Sequence, residues 1–296
     1  MNPAREHAVR NVLESLELVD ATRAERVIAA VAGGINKTAR IEVRDRVVFA
    51  KWNDRGLPAH FAAEAAGLEA LRGADCGLAV PAVISFQDEP SNEAFLLLEH
   101  VESSPRPTEF DEVLGRGLAR LHRASSRQGF GFHCPTYCGA TLQTNDWYTD
   151  WVDFFRDERL ARQVRFARNK GMSRVDAALC DRLLARLDEW IADDEPPSLL
   201  HGDLWSGNLI CGPDGVPVLV DPAVYFGHRE AEFGMTALFG GFSRRMYDAY
   251  HEQYPLRPGW QERVDLYTLY HLLNHFNLFG GAYLRESMVI VRRFVG

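Results

Sequence analysis

The sequence predicts an α+β chain in two lobes. A small N-terminal lobe, residues 1–101, should hold an antiparallel sheet plus a helix, and a larger C-terminal lobe, residues 102–296, should be mainly helical. Three observations carry this expectation. Short β-branched and aromatic runs bounded by turn residues crowd the first third of the chain. A Pro- and Ser-rich run, Glu102-Ser103-Ser104-Pro105-Arg106-Pro107, then marks the domain boundary. Beyond it, helical periodicity dominates.

The elements follow in order. Val9, Val12, Leu13 and Leu16 recur at helical spacing and predict an N-terminal amphipathic helix. Residues 27–31 read as a strand, Gly33-Gly34 as a turn, and 39–43 as the returning strand. Arg44-Asp45-Arg46 is a polar turn, and 47–51 a third strand ending in Lys51. Pro58 suits a helix's first turn, Phe61, Ala65, Leu68 and Leu71 mark its buried face, and Gly73 can end it. Two more strands, 80–86 and 94–101, flank the turn-rich 87–92. In the second lobe helices are expected at 109–125, 147–168, 174–192, 230–239, 243–253, 260–277 and 282–294. Short strand-like pieces at 198–200, 208–211 and 217–220 interrupt them.

Composition narrows the function. With 33 Lys plus Arg against 41 Asp plus Glu, the chain carries a formal charge of −8. That lacks the basic footprint of a nucleic-acid binder and disfavours an anionic membrane surface. The N-terminus has no apolar signal-like run, and stretches such as Phe95 to Leu98 are far too short to span a bilayer. Five cysteines, an odd number, read as reduced thiols and a cytoplasmic setting. Cys134 and Cys138, with His133, invite a zinc reading, but no second ligand pair follows, so zinc is not expected.

The densest chemistry lies in His201-Gly202-Asp203-Leu204-Trp205-Ser206-Gly207-Asn208. An Asp followed five residues later by an Asn is the spacing of a protein-kinase catalytic loop. Phosphoryl transfer needs a carboxylate to take the attacking hydroxyl's proton and a nearby oxygen ligand for Mg²⁺. Asp203 suits the first role and Asn208 the second. Asp221, after the hairpin-like segment that follows, supplies a second hard ligand. Alone, Asp203 reads equally as a turn residue and Asn208 as a cap; the combination sets them apart. Gly33-Gly34 would let backbone N–H groups approach phosphates. Lys51 sits where a kinase places its phosphate-contacting lysine, and Glu64 on the next helix can pair with it. The strand ending at Glu99 and Val101 would become the hinge, pairing adenine through the Glu99 carbonyl and the Val101 N–H.

These residues resemble a named family, the fructosamine/ketosamine-3-kinases. The resemblance rests on 201–208, on Asp221 to Met235, on Leu238 to Phe242, on Tyr270 to His275, and on Asn145-Asp146-Trp147, Asp150-Trp151 and Phe154-Phe155. It covers nearly the whole chain, from about Gly33 to Phe294. It implies a bilobal protein-kinase-like fold, close to the aminoglycoside phosphotransferases. It also implies ATP- and Mg²⁺-dependent phosphorylation of the O3 hydroxyl of a ketosamine, free or on a glycated lysine or protein. The resulting 3-phosphate decomposes and frees the amine. Carried over residue by residue, Asp203 is the proton acceptor, Asn208 and Asp221 hold magnesium, and Lys51 meets phosphate. A monomer or weak homodimer is expected. Several relatives carry a cysteine beside the glycine pair where this chain has Gly34, so Cys211, just past Asn208, becomes the thiol expected nearest the cleft.

Trp147, Trp151 and Trp205 could wall a sugar ring, with Asp150 and His201 as polar partners. Trp151 and Phe155, four apart on a helix, fit a core face equally well. Asn274 and His275 read as structural polar residues, and Glu232 or Arg229 as braces for the catalytic loop. Two other functions stay open: a phosphotransferase for aminoglycosides or choline, and a nucleotide-binding pseudokinase.

Overall fold

The computed structural model describes residues 26–32, 36–43, 46–53, 56–88, 94–191 and 195–296. The expected N-terminal helix and the Gly33-Gly34 turn lie outside the described residues.

Five strands form one antiparallel sheet in the order β1-β2-β3-β5-β4. They are β1 (Arg26–Ala32), β2 (Lys37–Val43), β3 (Arg46–Asn53), β4 (Val83–Gln87) and β5 (Ala94–Glu99). Strand β4 starts later than the apolar run because Pro81 has no N–H to give the ladder. Helix α1 (His60–Gly73) lays Phe61, Ala65 and Leu68 against Leu96 and Leu98 of β5. Pro58 stands just outside this helix rather than in its first turn. The cap comes from elsewhere: the Asp88 carboxylate after β4 accepts from the N–H groups of Phe61 (3.1 Å) and Ala62 (2.6 Å).

Downstream of β5 the chain is mainly helical. Helix α2 (Phe110–Leu121) crosses α7 (Arg244–Gln253), and the long α8 (Trp260–Phe279) runs through the core between α6 (Glu232–Phe239) and α9 (Tyr283–Val295). The helix expected over 147–168 is divided. It begins as α3 (Trp151–Phe154), capped by Asp150, widens into a π-turn at Phe155–Leu160 and continues as α4 (Ala161–Asn169); α5 (Arg174–Leu184) follows. The widened turn brings Arg159 into the interior, where its guanidinium lies 4.1 Å from the Tyr225 ring and bonds the Asn145 side chain at 2.7 Å.

Four short antiparallel pieces deliver the loops that matter. Strand β8 (Ser198–Leu200) pairs with β11 (Tyr225–Gly227), and β9 (Leu209–Cys211) with β10 (Pro217–Leu219). A hairpin of β6 (Thr136–Cys138) and β7 (Thr141–Gln143) joins them, its strands too short to show any periodicity in sequence. Among the described residues no helix is long and apolar enough to cross a membrane.

The α2–α7 contact depends on Gly115. A Cβ there would lie 2.1 Å from the Met246 carbonyl oxygen. Gly115→Ala should therefore cost about 1–3 kcal/mol, as overpacked cores do. Gly73→Ala, at a helix end with open space around it, should be neutral or stabilising by less than about 1 kcal/mol. Chemical denaturation of the two variants checks this, and equal stabilities would contradict the tight crossing.

Candidate active site

Two loops meet beneath the sheet. The first, between β8 and β9, carries His201 to Asn208; the second, between β10 and β11, carries Asp221. Gly202 makes their contact possible. Its φ is +80°, and a Cβ would fall 2.2 Å from the Ala223 carbonyl oxygen. The Ala223 N–H in turn donates to the His201 carbonyl at 2.8 Å. Asp221 itself holds a left-handed conformation with φ +55°, a strained backbone of the kind found at functional sites.

Glu232, wholly buried at the start of α6, fixes the first loop. Its carboxylate accepts from the N–H groups of His201 (2.6 Å) and Gly202 (3.1 Å), with His122 Nε2 3.5 Å away. This is the bracing role expected of Glu232 or Arg229, and only Glu232 fills it. Arg229 instead pairs with Glu195 and donates to the carbonyls of Tyr254 and Pro255.

The His201 ring is fully buried, which corrects its reading as a substrate partner. It touches the Val220 carbonyl through Nε2 at 2.9 Å and the Asp203 N–H through Nδ1 at 3.3 Å. That pattern fits the neutral tautomer with the proton on Nε2, and burial lowers its pKa accordingly. His201 therefore positions Asp203 from behind.

Asp203 receives the Asn208 amide, which donates to its carbonyl oxygen at 2.8 Å and approaches Oδ2 at 3.4 Å. Oδ1 is buried and receives no N–H or O–H. Burial first, then the Asp221 charge, pushes the Asp203 carboxyl up to about 7. Lys51 is not the solvated strand end its position allowed. It is buried, 2.6 Å from Glu64 of α1 and in a second, short ion pair with Asp221. Burial alone would lower its pKa, but the two carboxylates outweigh that and keep the ammonium charged.

Lys51, Glu64, Asp203, Trp205, Asn208 and Asp221 all line one cavity of about 300 Å³. His60 and Tyr137 also line it, and no signal in the sequence singled them out. A second cavity of about 200 Å³ shares Asp203 and Trp205 and is walled by Met235, Phe239, Leu278 and Phe279. Asn274 and His275 line it too, the Asn274 amide bonded to Thr141, Gln163 and Cys138 and His275 Nδ1 to the His271 carbonyl. Trp205 lies against Phe239 at 5.7 Å and over Gly207, where a Cβ would strike its ring at 2.3 Å.

The other expected substrate residues do not reach either cavity. Trp151 is fully buried, stacked between Phe154 and Phe155 with its indole N–H on Tyr267 Oη at 3.2 Å; it is core. Trp147 packs beside Phe226, and Asp150 spends its carboxylate on capping α3. Glu99 and Val101 stand at the end of β5, where the Glu99 N–H bonds the Ala82 carbonyl; neither lines these two cavities. Cys211 packs against Ser104 and Pro105. The thiol at the cleft is Cys138.

A small antiparallel sheet with one helix, over a helical body carrying this pair of loops, is a protein-kinase-like fold. The chain belongs to the fructosamine kinase family, whose profile matches residues 7–296. A Vibrio parahaemolyticus protein named as a ketoamine kinase is 38% identical over 265 residues, 89% of this chain and 90% of that protein. The chloroplastic protein-ribulosamine 3-kinase of Arabidopsis thaliana is 36% identical over 270 residues, 89% of this chain and 81% of the plant protein. A crystal structure from Thermobifida fusca carrying the name fructosamine-3-kinase superposes with a TM-score of 0.81 at 33% identity, covering 96% of each chain. The aminoglycoside phosphotransferase APH(4)-Ia, in ternary complex with AMP-PNP and hygromycin B, shares the fold with a TM-score of 0.68 at 17% identity, over 97% of this chain and 98% of that one.

The Glu232 brace can be tested by pH. Burial alone would raise its pKa, but His122, His201 and the loop N–H hold it below the ordinary value of 4.5. Its stabilisation is then complete above that value and fades as pH falls through the lowered one. Glu232→Gln should cost about 1–3 kcal/mol near neutral pH by leaving a buried N–H unmatched. Denaturation at several pH values should show the gap to wild type closing below about pH 4.5; a gap independent of pH would contradict the charged brace.

Proposed function

We propose that this chain uses ATP to phosphorylate the O3 hydroxyl of ketosamines, with Asp203 as the base. The observation that supports it best is the placement of Asp203. Asp203 lines both a cavity shared with Lys51, Asn208 and Asp221 and a second one walled by aromatic and aliphatic side chains. The first suits phosphates and the second a sugar.

The residues present fit magnesium. The Asp221 carboxylate is half exposed and lines the cavity together with Asn208, whose amide N–H groups turn to Asp203 and the Asp221 carbonyl and leave the amide oxygen as a second hard donor. Asp221 and Asn208 would hold Mg²⁺, whose charge would offset that of the ATP phosphates. Lys51 adds a second positive charge, held in place by Glu64. The substrate hydroxyl gives its proton to the Asp203 carboxylate as its oxygen bonds to the γ-phosphorus, and ADP leaves with the electrons of the broken P–O bond. An Asp203 poised near neutrality suits a proton acceptor. The Glu99 carbonyl and the Val101 N–H remain the groups assigned to adenine, with the expected Gly33-Gly34 turn over the phosphates. Division into an N-terminal nucleotide lobe ending at 101 and a substrate lobe from 102 belongs to the same reading. The 3-phosphate product decomposes and releases the amine, which is deglycation.

The second cavity also speaks against an aminoglycoside. Asp203 is the sole carboxylate among the residues that line it, whereas a polycation needs several. A phosphorylation assay comparing ribuloselysine, fructoselysine and kanamycin, with mass detection of product, tests the substrate class. Phosphorylation of kanamycin alone would overturn the proposal.

Two variants test the roles. Asp203→Asn keeps shape but cannot take a proton, so kcat should fall about 10²–10⁴-fold with Mg-ATP affinity nearly retained; near-normal turnover would refute the assignment. Asp221→Ala should weaken Mg-ATP binding and shift the Mg²⁺ dependence upward. Calorimetric titration with Mg-ATP measures this, and unchanged binding would reduce Asp221 to a strand end.

A further inference from the structure

Cys134 and Cys138, with His133, invite a zinc reading that lacks a second ligand pair in the sequence; among the described residues it is Cys138, not Cys134, that joins a group of ligating side chains. Cys138, at the end of β6, meets residues distant in sequence instead. Its Sγ, a carboxylate oxygen of Asp203 and a ring nitrogen of His271 on α8 all lie within 4.8 Å of one another. All three residues are anchored locally. Asn274 donates to Cys138 Sγ at 3.3 Å, His201 receives the Asp203 N–H, and His271 is packed inside α8 with only 4% of its surface exposed.

The cluster has unspent coordinating capacity. Asp203 Oδ1 and His271 Nδ1 are both buried and receive no N–H or O–H, and the Cys138 thiol is the group that meets the Asp203 carboxylate. Such groups are costly to leave unmatched, and an ion is one of the partners that can satisfy them. The His271 imidazole is neutral, since burial and then neighbouring His275 push its pKa down to about 3; a neutral ring offers a lone pair to a metal. Cys138 and Asp203 also line the second cavity, which gives an entry path and room for a water as fourth ligand.

We propose that Cys138, Asp203 and His271 form a binding site for a thiophilic divalent cation, Zn²⁺ by its ligand chemistry, and that its occupation disables Asp203. One thiolate, one imidazole and one carboxylate with an open fourth position is a zinc-type donor set. Mg²⁺ prefers the all-oxygen pair at Asp221 and Asn208, so the two sites select different ions. Ligand atoms around one tetrahedral zinc ion stand roughly 3.3–3.6 Å apart, so small side-chain rotations bring the three together. On binding, the Cys138 S–H bond breaks, an S–Zn bond forms and the proton leaves to solvent. Asp203 then donates its lone pair to the metal and cannot take a hydroxyl proton. The inhibitory half of this proposal rests on Asp203 being the base; the binding half does not.

The test uses the full chain, freed of metal by a chelator. Titration with Co²⁺ should give one equivalent with a sulfur-to-cobalt charge-transfer band and tetrahedral d–d bands, displaced by Zn²⁺. Cys138→Ser and His271→Gln should each weaken Co²⁺ binding by about tenfold or more, since even outer-shell changes cost that much. Cys134→Ser and Cys211→Ser should leave the spectrum unchanged, and circular dichroism checks that each variant is folded. Absence of the band in wild type, or its survival at full strength in folded Cys138→Ser, overturns the site. In parallel, Zn²⁺ should inhibit wild type in saturating Mg-ATP, reversibly with chelator. Half-inhibition of Cys138→Ser, relative to its own zinc-free rate, should need about tenfold more zinc. A cobalt band at Cys138 without zinc inhibition would uphold metal binding there and overturn the claim that its occupation disables Asp203, whose role as base is judged separately by Asp203→Asn.

Discussion

Two adjacent backbone N–H groups, those of His201 and Gly202, point at one buried carboxylate, and the rest of the site depends on that contact. Glu232 belongs to α6, which packs on α8, so the loop is hung from the helical core rather than from its own short strands. With the loop anchored there, the His201 ring spans to the Val220 carbonyl and thereby joins the segment carrying Asp203 to the one carrying Asp221. Gly202 lets the two backbones touch. The functional carboxylates are thus positioned by a framework whose own members never face the cavity.

Charge in the cleft is arranged as alternation. Lys51 lies between Glu64 and Asp221, and Asp203 lies beyond Asp221, pressed toward its neutral form. Lys51 is the cation of this row, and it is already shared. A polyanion with its metal entering the cavity would relieve the crowding of Asp221 and Asp203 and compete for Lys51 at once. Electrostatic preorganisation of this kind is where phosphoryl-transfer enzymes gain most.

Much of this was legible from the residues. The succession along the chain of three strands, α1 and two more strands followed from β-branched runs and one helical face, because Phe61, Ala65 and Leu68 bury against one strand. Lys51, Glu64, Asp203, Asn208 and Asp221 were found by spacing, since the chemistry constrains the loop that carries them. The wall of the second cavity was not. Trp151 and Trp147 are as aromatic as Trp205, and sequence cannot say that a π-turned helix buries the first among Phe154, Phe155 and Tyr267. Phe239, Asn274, His275 and Phe279 come from two helices distant in sequence from the loop, and only the packing of α6 on α8 brings them to Asp203. His201 was misread for a related reason: a polar ring beside a catalytic motif looks like a ligand until its two nitrogens are seen to be engaged.

The cap of α1 has a consequence for how the N-terminal part assembles. The helix borrows its N-terminal acceptor from Asp88, which lies beyond the helix itself and beyond β4. A locally capped helix can form early and wait for its sheet; this one gains its cap only after the intervening chain has closed a loop, at an entropic cost that local contacts do not repay. The register of β4 and the orientation of α1 are therefore coupled in free energy. Glu64 sits one turn into that helix, so its pairing with Lys51 reports on a non-local, high-contact-order closure. Any shift of the β4 end would be felt first as a change in the direction of the Glu64 carboxylate.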